Sequence, residues 1–325
     1  MICLGIEGTA HTISVGVTSD TKVLSIASKM YLPEEGGIHP REAADHHSQH
    51  ISGIVERALE EAGLERSDIG LVAFSQGPGL GPCLRVAATA ARALALDIGC
   101  PMVGVNHCIA HLEAGVVTTD AEDPVLLYAS GGNTQVIAFS NGRYRVFGET
   151  MDIGVGNMLD KFAREVGLPF PGGPVLEKLA SSSDNYISLP YSVKGMDVAF
   201  SGILTAALHL YKKGIALEDI AFSLQETVFA MLTEVTERAM AHTGKTEALL
   251  GGGVARNMRL QNMVDIMAAE RGAKSFVPPP NLLVDNGAMI AMTGELMHSA
   301  GVVTTMEDSG VNQRFRTDDV EVTWR

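Results

Sequence analysis

The sequence predicts an α/β fold in which two lobes of one plan surround a nucleotide cleft. Residues 1–26 alternate apolar and polar side chains on both sides of a glycine turn at residues 7–9, a pattern typical of a β-meander. Residues 125–147 repeat this pattern around a second glycine turn at residues 130–134. Because helical segments and short buried strands follow each meander, the repetition indicates duplicated lobes.

In the first predicted lobe, residues 1–117, a helix follows the meander and ends at Gly63. Its apolar residues have helical spacing: Ile51, Ile54, Val55, Ala58, Leu59 and Ala62. Short buried strands are expected at residues 69–74 and 102–105. Between them, a glycine-rich loop at residues 77–82 leads into an alanine-rich helix that ends near Gly99.

The second predicted lobe, residues 118–325, begins with a polar connector and strands at residues 125–129, 135–139 and 144–147. Helical periodicity predicts an inserted helical region at about 150–242. The remaining elements are a strand at 248–250, glycines at 251–253, a helix from Val254, a strand at 275–277 and a last helix from Asp285.

The composition narrows the function classes. With 24 basic and 38 acidic residues among 325, the formal net charge is −14, which argues against binding a polyanion without a partner. The four cysteines form no C-x-x-C pair, so neither a disulfide framework nor a thiolate zinc cluster is expected. No segment has the apolar length of a membrane helix and the N-terminal strand lacks signal-peptide features, so we expect a cytoplasmic protein with no membrane partner.

His107 and His111 are the first candidates for a metal site. They are one helical turn apart, so both imidazoles project from one face and can share a cation. The same spacing occurs in zinc peptidases, where a glutamate after the first histidine is the general base; here that position is Cys108, although Glu113 lies nearby. A metal site needs a third ligand besides the two histidines. The pair alone is therefore compatible with three interpretations: a metal site, the zinc site of a peptidase, or histidines with a structural role.

A second histidine group, His46, His47 and His50, lies on the first long helix. It belongs to the polar N-terminal half of an amphipathic helix, and no carboxylate-bearing glycine turn adjoins it in sequence. We therefore interpret these histidines as structural.

Three glycine-rich turns follow one another in a fixed order along the chain. They are residues 7–9, residues 130–134 and the glycines at 251–253, which come after a strand and before Asn257. Backbone N–H groups in such turns are suited to phosphate oxygens. In this order and spacing the turns resemble the phosphate and adenosine motifs of the actin/Hsp70/hexokinase superfamily, which implies a two-lobed, ribonuclease H-like fold over nearly the whole chain.

Longer segments resemble the tRNA threonylcarbamoyltransferase family, which makes threonylcarbamoyladenosine in tRNA. They are residues 5–12, 39–47, 77–86, 106–111, 128–134, 200–202, 251–257 and 285–290. The segments at 77–86 and 128–134 are similar to the archaeal and eukaryotic branch of the family, whose members are the catalytic subunit of the KEOPS complex.

The resemblance also implies the site residues. His107, His111 and Asp285 would hold one divalent metal, iron in preference to zinc, with Tyr128 as a further oxygen ligand. The phosphate and threonylcarbamoyl parts of the intermediate would contact Tyr128, Ala129, Ser130, Gly131 and Gly132. The adenosine end of an ATP- or AMP-type nucleotide, with or without Mg²⁺, would be lined by Asp160, Gly173, Glu177 and Asn257.

The implied enzyme is a metal-dependent transferase that moves the threonylcarbamoyl group from threonylcarbamoyl-AMP to the adenosine 3′ of the anticodon in ANN-decoding tRNAs. Its implied partners are tRNA and the KEOPS subunits, namely a small dedicated kinase and a small dimerisation subunit. A small-molecule kinase of the same superfamily is one alternative, but it gives His107 and His111 no role. A metallopeptidase is another, and an Hsp70-like switch would need a peptide-binding segment for which the chain is too short.

Overall fold

The computed structural model describes residues 1–33 and 37–325. The strands of these residues are β1 (Ile2–Glu7), β2 (Thr12–Ser19), β3 (Lys22–Met30), β4 (Leu71–Gly77), β5 (Met102–Asn106), β6 (Val125–Ala129), β7 (Thr134–Ser140), β8 (Arg143–Glu149), β9 (Val193–Lys194), β10 (Asp197–Val198), β11 (Glu247–Gly251) and β12 (Lys274–Phe276). The helices are α1 (Pro40–Ala62), α2 (Gly81–Ile98), α3 (His107–Thr118), α4 (Val155–Glu165), α5 (Gly172–Ala180), α6 (Ser201–Lys212), α7 (Leu217–Thr243), α8 (Met258–Glu270), α9 (Pro280–Leu283) and α10 (Gly287–Ser299). Among the described helices, none combines the length and apolar character needed to cross a membrane.

The chain folds into two compact units. Unit 1 comprises Met1–Thr118, Asn141–Tyr144 and Val284–Arg325, and unit 2 comprises Thr119–Ser140 and Arg145–Leu283. The predicted second lobe, 118–325, differs from unit 2 at its C-terminal end, since Val284–Arg325 belongs to unit 1. The reason is that α10 packs against β1, β2 and β4, so the last forty residues or so return to the N-terminal sheet.

Unit 1 is built on a five-stranded sheet with the order β3-β2-β1-β4-β5. The meander β1–β3 is antiparallel, whereas β4 is parallel to both β1 and β5. Leu4, Ile6 and Val15 point from one face into a core with α1 and α2. Since side chains alternate along a strand, the intervening residues face the opposite side, where α10 packs.

A pair of glycines allows α10 to approach the sheet closely. Gly5 of β1 is the cross-strand partner of Gly16 of β2. A methyl group on Gly16 would lie 2.1 Å from the backbone nitrogen of Ala288, and one on Gly5 would lie 2.2 Å from the carbonyl oxygen of Gly287. The N-terminus of α10 therefore rests directly on sheet backbone.

The second sheet repeats the plan of the first. Its order is β12-β11-β6-β7-β8, in which β6 pairs with β7 in the antiparallel sense and β11 is parallel to both β6 and β12. Each sheet thus has a meander at one side and two parallel strands at the other, as the repeated sequence pattern predicts. The core of unit 2 lies between this sheet and the helices α4–α8.

Two local predictions differ from the structure. The helix expected from Val254 is a 3-10 turn at Gly253–Arg256, and α8 begins only at Met258 because the Asn257 side chain accepts hydrogen bonds from the backbone N–H groups of Arg259 and Leu260. The region expected to be helical at about 150–242 also contains the small hairpin β9–β10.

Candidate metal centre and nucleotide loop

The two histidines predicted to bind a metal lie at the start of α3, directly after β5. Asn106 fixes this start, because its side-chain oxygen accepts hydrogen bonds from the backbone N–H groups of Cys108 at 3.0 Å and Ile109 at 3.3 Å. His107 is the first helical residue, and His111 follows one turn later on the same face. Both side chains are buried, with 4% and 2% of their surface exposed.

Asp285 meets both histidines, although it lies far along the chain. Its Oδ1 is 3.4 Å from Nε2 of His107 and 3.2 Å from Nε2 of His111. In the described part of the chain, these three residues form the one group of three or more histidine, cysteine or acidic side chains whose ligand atoms all lie within 4.8 Å of one another. The structure therefore brings together three of the four predicted metal ligands within unit 1.

The electrostatics of this triad suit a cation. Burial lowers the pKa of His111 and outweighs the opposing effect of Asp285, which favours a neutral imidazole with a lone pair. Burial by itself would raise the pKa of Asp285, but the charges and hydrogen bonds of His107 and His111 hold that pKa well below its usual value. Two imidazole nitrogens aimed at one carboxylate oxygen need a proton or a cation between them.

Two of the three donor spacings also fit a metal ion. In a tetrahedral site with metal–ligand bonds of about 2.0–2.1 Å, neighbouring ligand atoms are about 3.3 Å apart. The two distances to Asp285, 3.2 and 3.4 Å, match this separation. Two imidazoles with one carboxylate suit iron and zinc alike, so the donor set accommodates either metal.

Glu7 contacts His107 at Nδ1, the ring nitrogen that does not face Asp285. The sequence patterns did not indicate this role. Its carboxylate is fully buried, and Oε2 is 3.0 Å from Nδ1 of His107. Oε1 accepts hydrogen bonds from the backbone N–H and the hydroxyl of Thr9. Since the carboxylate accepts a hydrogen bond from Nδ1–H, the Nε2 atom keeps its lone pair toward Asp285.

The turn at residues 7–9 therefore serves the histidine rather than a phosphate. The Gly8 N–H donates to the Ser75 hydroxyl at 3.1 Å, and the Thr9 N–H donates to Glu7 at 2.7 Å. The backbone N–H groups of Gly8 and Thr9, which the glycine turn was expected to present to a phosphate, thus already donate to protein oxygens. The signal that could have revealed this is the acidic residue within the turn.

Glu113 is the residue on which the peptidase alternative depended, as its candidate general base. In the structure this side chain bonds to other groups. Its Oε1 accepts hydrogen bonds from the Tyr144 hydroxyl at 2.5 Å and from the indole N–H of Trp324 at 2.7 Å. It is not a member of the group formed by His107, His111 and Asp285. The structure thus gives it a supporting role rather than that of a general base.

The predicted histidine group on α1 does not join the triad. His47 is fully buried, and its Nε2 donates to the Ala10 carbonyl at 3.0 Å. His46 contacts His50 with ring centroids 4.6 Å apart. Among residues 1–33 and 37–325, these histidines do not belong to the group of possible metal ligands, and their structural interpretation stays a prediction.

The predicted phosphate loop lies in unit 2 at the end of β6. Tyr128 and Ala129 are buried in that strand, whereas Gly131 and Gly132 are exposed. Glycines elsewhere in the unit press against the loop: a methyl group on Gly252 would lie 2.4 Å from the Ala129 carbonyl oxygen, and one on Gly156 would lie 2.8 Å from Cα of Gly131. These contacts hold the loop in place on one side. Because Gly131 and Gly132 are exposed, their backbone stays accessible to a ligand.

The predicted adenosine-end residues also lie in unit 2, on α4, α5 and the N-terminus of α8. Asp160 accepts a hydrogen bond from the Gly172 N–H at 2.7 Å, next to the half-buried Gly173. Glu177 accepts one from the Met258 N–H at 2.8 Å, beside Asn257. The structure brings Asp160 to Gly173 and Glu177 to Asn257, and gives both carboxylates a structural partner that the sequence did not show.

These features first define a class of protein: a two-unit chain of the actin/sugar-kinase-like ATPase fold with a His-His-Asp constellation. HypF of T. kodakarensis has a TM-score of 0.67 and 13% identity to this chain, over 91% of this chain and 48% of that one. A ROK family glucokinase from Streptomyces griseus has a TM-score of 0.53 and 14% identity, over 92% of this chain and all of that one. At such low identity these structures show the fold alone, and the predicted fold class is confirmed.

The sequence comparisons specify the family. The family model for tRNA N6-adenosine threonylcarbamoyltransferase matches residues 22–292, and the chain belongs to this family. A protein of that name from Thermococcus kodakarensis is 58% identical over 325 residues, which cover all of both chains. The resemblance that the sequence motifs suggested is thereby confirmed, as is the prediction of a transferase, and the kinase and metallopeptidase alternatives are not supported.

A second kind of relative is longer than this chain. The "probable bifunctional tRNA threonylcarbamoyladenosine biosynthesis protein" of Methanothermobacter thermautotrophicus is 58% identical over all 325 residues of this chain. This chain spans 61% of the length of that relative.

Proposed function

We propose that this chain is a tRNA N6-adenosine threonylcarbamoyltransferase. It transfers the threonylcarbamoyl group from threonylcarbamoyl-AMP to N6 of the adenosine 3′ of the anticodon in ANN-decoding tRNAs. The observation that carries the proposal is the convergence of His107, His111 and Asp285 in a chain whose residues 22–292 match the family model.

The reaction is an acyl transfer. The N6 amine forms a bond to the carbamoyl carbon, the bond from that carbon to the phosphate oxygen breaks, AMP leaves with the electron pair, and the amine loses a proton. Because the adenylate supplies a good leaving group, no serine or cysteine nucleophile is needed, and positioning contributes much of the rate.

The chain's own residues have separate tasks in this reaction. His107, His111 and Asp285 would hold the metal, and Glu7 orients His107 for this. When bound, the metal supplies Lewis-acid polarisation of a carbonyl oxygen. The exposed backbone of Gly131 and Gly132 would bind the phosphate through its N–H groups.

The finer assignments follow from the family resemblance and from the donor set. Iron is the proposed metal and zinc the alternative, since both accept two imidazoles and a carboxylate. Tyr128 is the proposed further oxygen ligand. Asp160, Gly173, Glu177 and Asn257 would bind the adenosine end of an AMP- or ATP-type nucleotide, with Mg²⁺ as an additional ion.

Partners would supply what this acidic chain lacks. A formal charge of −14 opposes tRNA binding, so we propose that tRNA docks with the help of KEOPS subunits, a small dedicated kinase and a small dimerisation subunit, in the cytoplasm. The existence of longer, bifunctional relatives supports a second component. Tight tRNA binding by the isolated chain at physiological salt would contradict this.

The decisive experiment is a transfer assay with labelled threonine, bicarbonate, ATP and unmodified tRNA, together with the enzyme that makes the adenylate and the partner subunits. His107→Ala should lose both bound metal and transfer. His50→Ala is the matched control, because His50 lies outside the metal group and should leave both unchanged. Transfer by His107→Ala at the rate of the unmodified chain would overturn the proposal.

A further inference from the structure

The C-terminal segment of the chain, residues 304–325, follows the surface of unit 1 and is called here the tail. The Thr304 N–H donates to the Met102 carbonyl at 2.8 Å, and the Asn312 N–H donates to the Gln76 carbonyl at 2.9 Å. Arg92 also donates to the side chain and carbonyl of Ser309. Along this path the tail lies beside β4, β5 and α2.

The tail holds the metal-binding helix at two points. Before α3, the side-chain N–H of Asn106 donates to the Phe315 carbonyl at 3.1 Å, and Asn106 is the residue that caps α3. In the middle of α3, the indole N–H of Trp324 donates to Glu113 at 2.7 Å. His107 and His111 lie between these two contacts.

Of the two contacts, the one at Glu113 depends more strongly on its hydrogen-bond donors, because the Glu113 carboxylate is buried. This carboxylate is 2% exposed and lies two residues after His111. Its donors are Trp324, the Tyr144 hydroxyl at 2.5 Å and Arg325, whose Nε is 3.5 Å away. Since a buried carboxylate that loses a donor is strongly destabilised, Glu113 and the tail fix each other's position.

We propose that Trp324 is a positioning residue of the metal centre. Through Glu113 it holds α3 where His107 and His111 can meet Asp285, so docking of the tail and binding of the metal stabilise one another. This inference rests on the metal centre of the proposed function. Linkage requires the effect to be reciprocal. A tail that docks less firmly lowers the affinity for the metal, and bound metal stabilises the docked tail.

The test uses the whole chain and zinc alone as the probe. Trp324→Phe keeps an aromatic ring and removes only the N–H donor, and should weaken zinc binding about fivefold or more in chelator competition. Thr305→Ala is the matched control, because its hydroxyl bonds only within the tail, to Asp308 at 2.8 Å, and zinc affinity should stay at the wild-type value. Chemical denaturation checks that both variants fold.

A second readout needs no variant. Trp324 is the only tryptophan among the 325 residues, so the intrinsic emission of the wild-type chain reports on the Trp324–Glu113 contact. Saturation with zinc should shift this emission, and Glu113→Gln, which removes the charge beside the indole, should reduce the shift. A tail with a merely structural role would give no shift.

The outcomes separate the two proposals. A wild-type chain that binds no zinc at the triad would overturn the proposed metal centre itself. A wild-type chain that binds zinc without any change in Trp324 emission, or a folded Trp324→Phe variant with wild-type zinc affinity, would overturn the role of Trp324 and leave the metal centre intact. If Trp324→Phe does not fold, the emission of the wild-type chain decides.

Discussion

Oε2 of Glu7 lies 3.0 Å from Nδ1 of His107, across 100 residues of sequence. This contact decides which nitrogen of His107 carries the proton, and so leaves Nε2 to face Asp285. A carboxylate behind a metal-binding imidazole also raises the basicity of the ligand. The first strand of the chain therefore contributes to the proposed metal centre without supplying a ligand atom.

Glu7→Gln tests this contact. The amide oxygen still accepts from Nδ1 but carries no charge, so the affinity for zinc or iron should fall about 10-fold or more. Chelator competition measures it. Glu295→Gln is the control: Glu295 is another buried carboxylate of unit 1, bonded to Thr18 and Thr21 and outside the His107–His111–Asp285 group, and this substitution should leave the metal affinity unchanged. Equal losses in the two variants would contradict the role of Glu7.

Gly16→Ala tests how α10 brings Asp285 to the histidines. The added methyl group would lie 2.1 Å from the Ala288 nitrogen, so the start of α10 must shift, and we expect a loss of about 3 kcal/mol in unfolding free energy. Metal affinity should fall as well, because Asp285 precedes α10 by two residues.

Gly53→Ala provides the comparison for that substitution. Gly53 is exposed in α1, and nothing lies within 4 Å of an added methyl group. Alanine there should raise the unfolding free energy by about 0.5–1 kcal/mol and leave metal binding unchanged. Urea denaturation with and without zinc compares the two variants. If Gly16→Ala kept the unfolding free energy and zinc affinity of the unmodified chain, α10 would not need this close approach.

His47 should make the stability of the chain depend on pH. Burial lowers the pKa of His47 from 6.5 to about 4, although the hydrogen bond to the Ala10 carbonyl acts in the opposite direction. The unfolded chain thus binds more protons than the folded one between these values, and stability falls as pH drops from 6.5 to 4, by on the order of 3 kcal/mol. His46, His11 and Glu7 also act on His47, so the effect must be isolated by substitution.

His47→Gln isolates it, since the amide can still donate to Ala10 but does not titrate. Urea denaturation at several pH values should show a flatter dependence for this variant between pH 6.5 and 4, and the same dependence above pH 7. Parallel curves for the variant and the unmodified chain would rule out His47 as the source.

Gly252→Ala tests the nucleotide loop of unit 2. Gly252 has φ of 89°, and a methyl group there would lie 2.4 Å from the Ala129 carbonyl oxygen, so the substitution is strained and displaces residues 129–132. AMP affinity, measured by calorimetry, should fall at least about 10-fold. Gly202→Ala in the same unit, where nothing lies within 4 Å, should bind AMP normally. Unchanged affinity in Gly252→Ala would place the nucleotide elsewhere.

Local sequence patterns accounted for much of the secondary structure. The alternation in residues 1–26 and 125–147 predicted both meanders, and Gly63 and Gly99 end α1 and α2 in the left-handed conformation. The one-turn spacing of His107 and His111 likewise placed both rings on one helix face. The 3-10 turn before α8 was missed, because the hydrogen bonds that place the start of α8 come from the Asn257 side chain rather than from a periodic pattern.

By itself, the sequence determined what depends on near neighbours: the elements, the repeated plan and the family motifs. The family motifs named Asp285 as a ligand, but only the tertiary structure decided how a residue 174 positions after His111 reaches that ring. It also decided that Glu7 orients His107 and that the tail belongs with the N-terminal sheet. The physical reason is that these contacts join residues far apart in the chain through the packing of whole elements; the contact of Asp285, for example, depends on how closely α10 approaches the Gly5–Gly16 pair. Backbone proximity of that kind leaves no periodic signal in the chain.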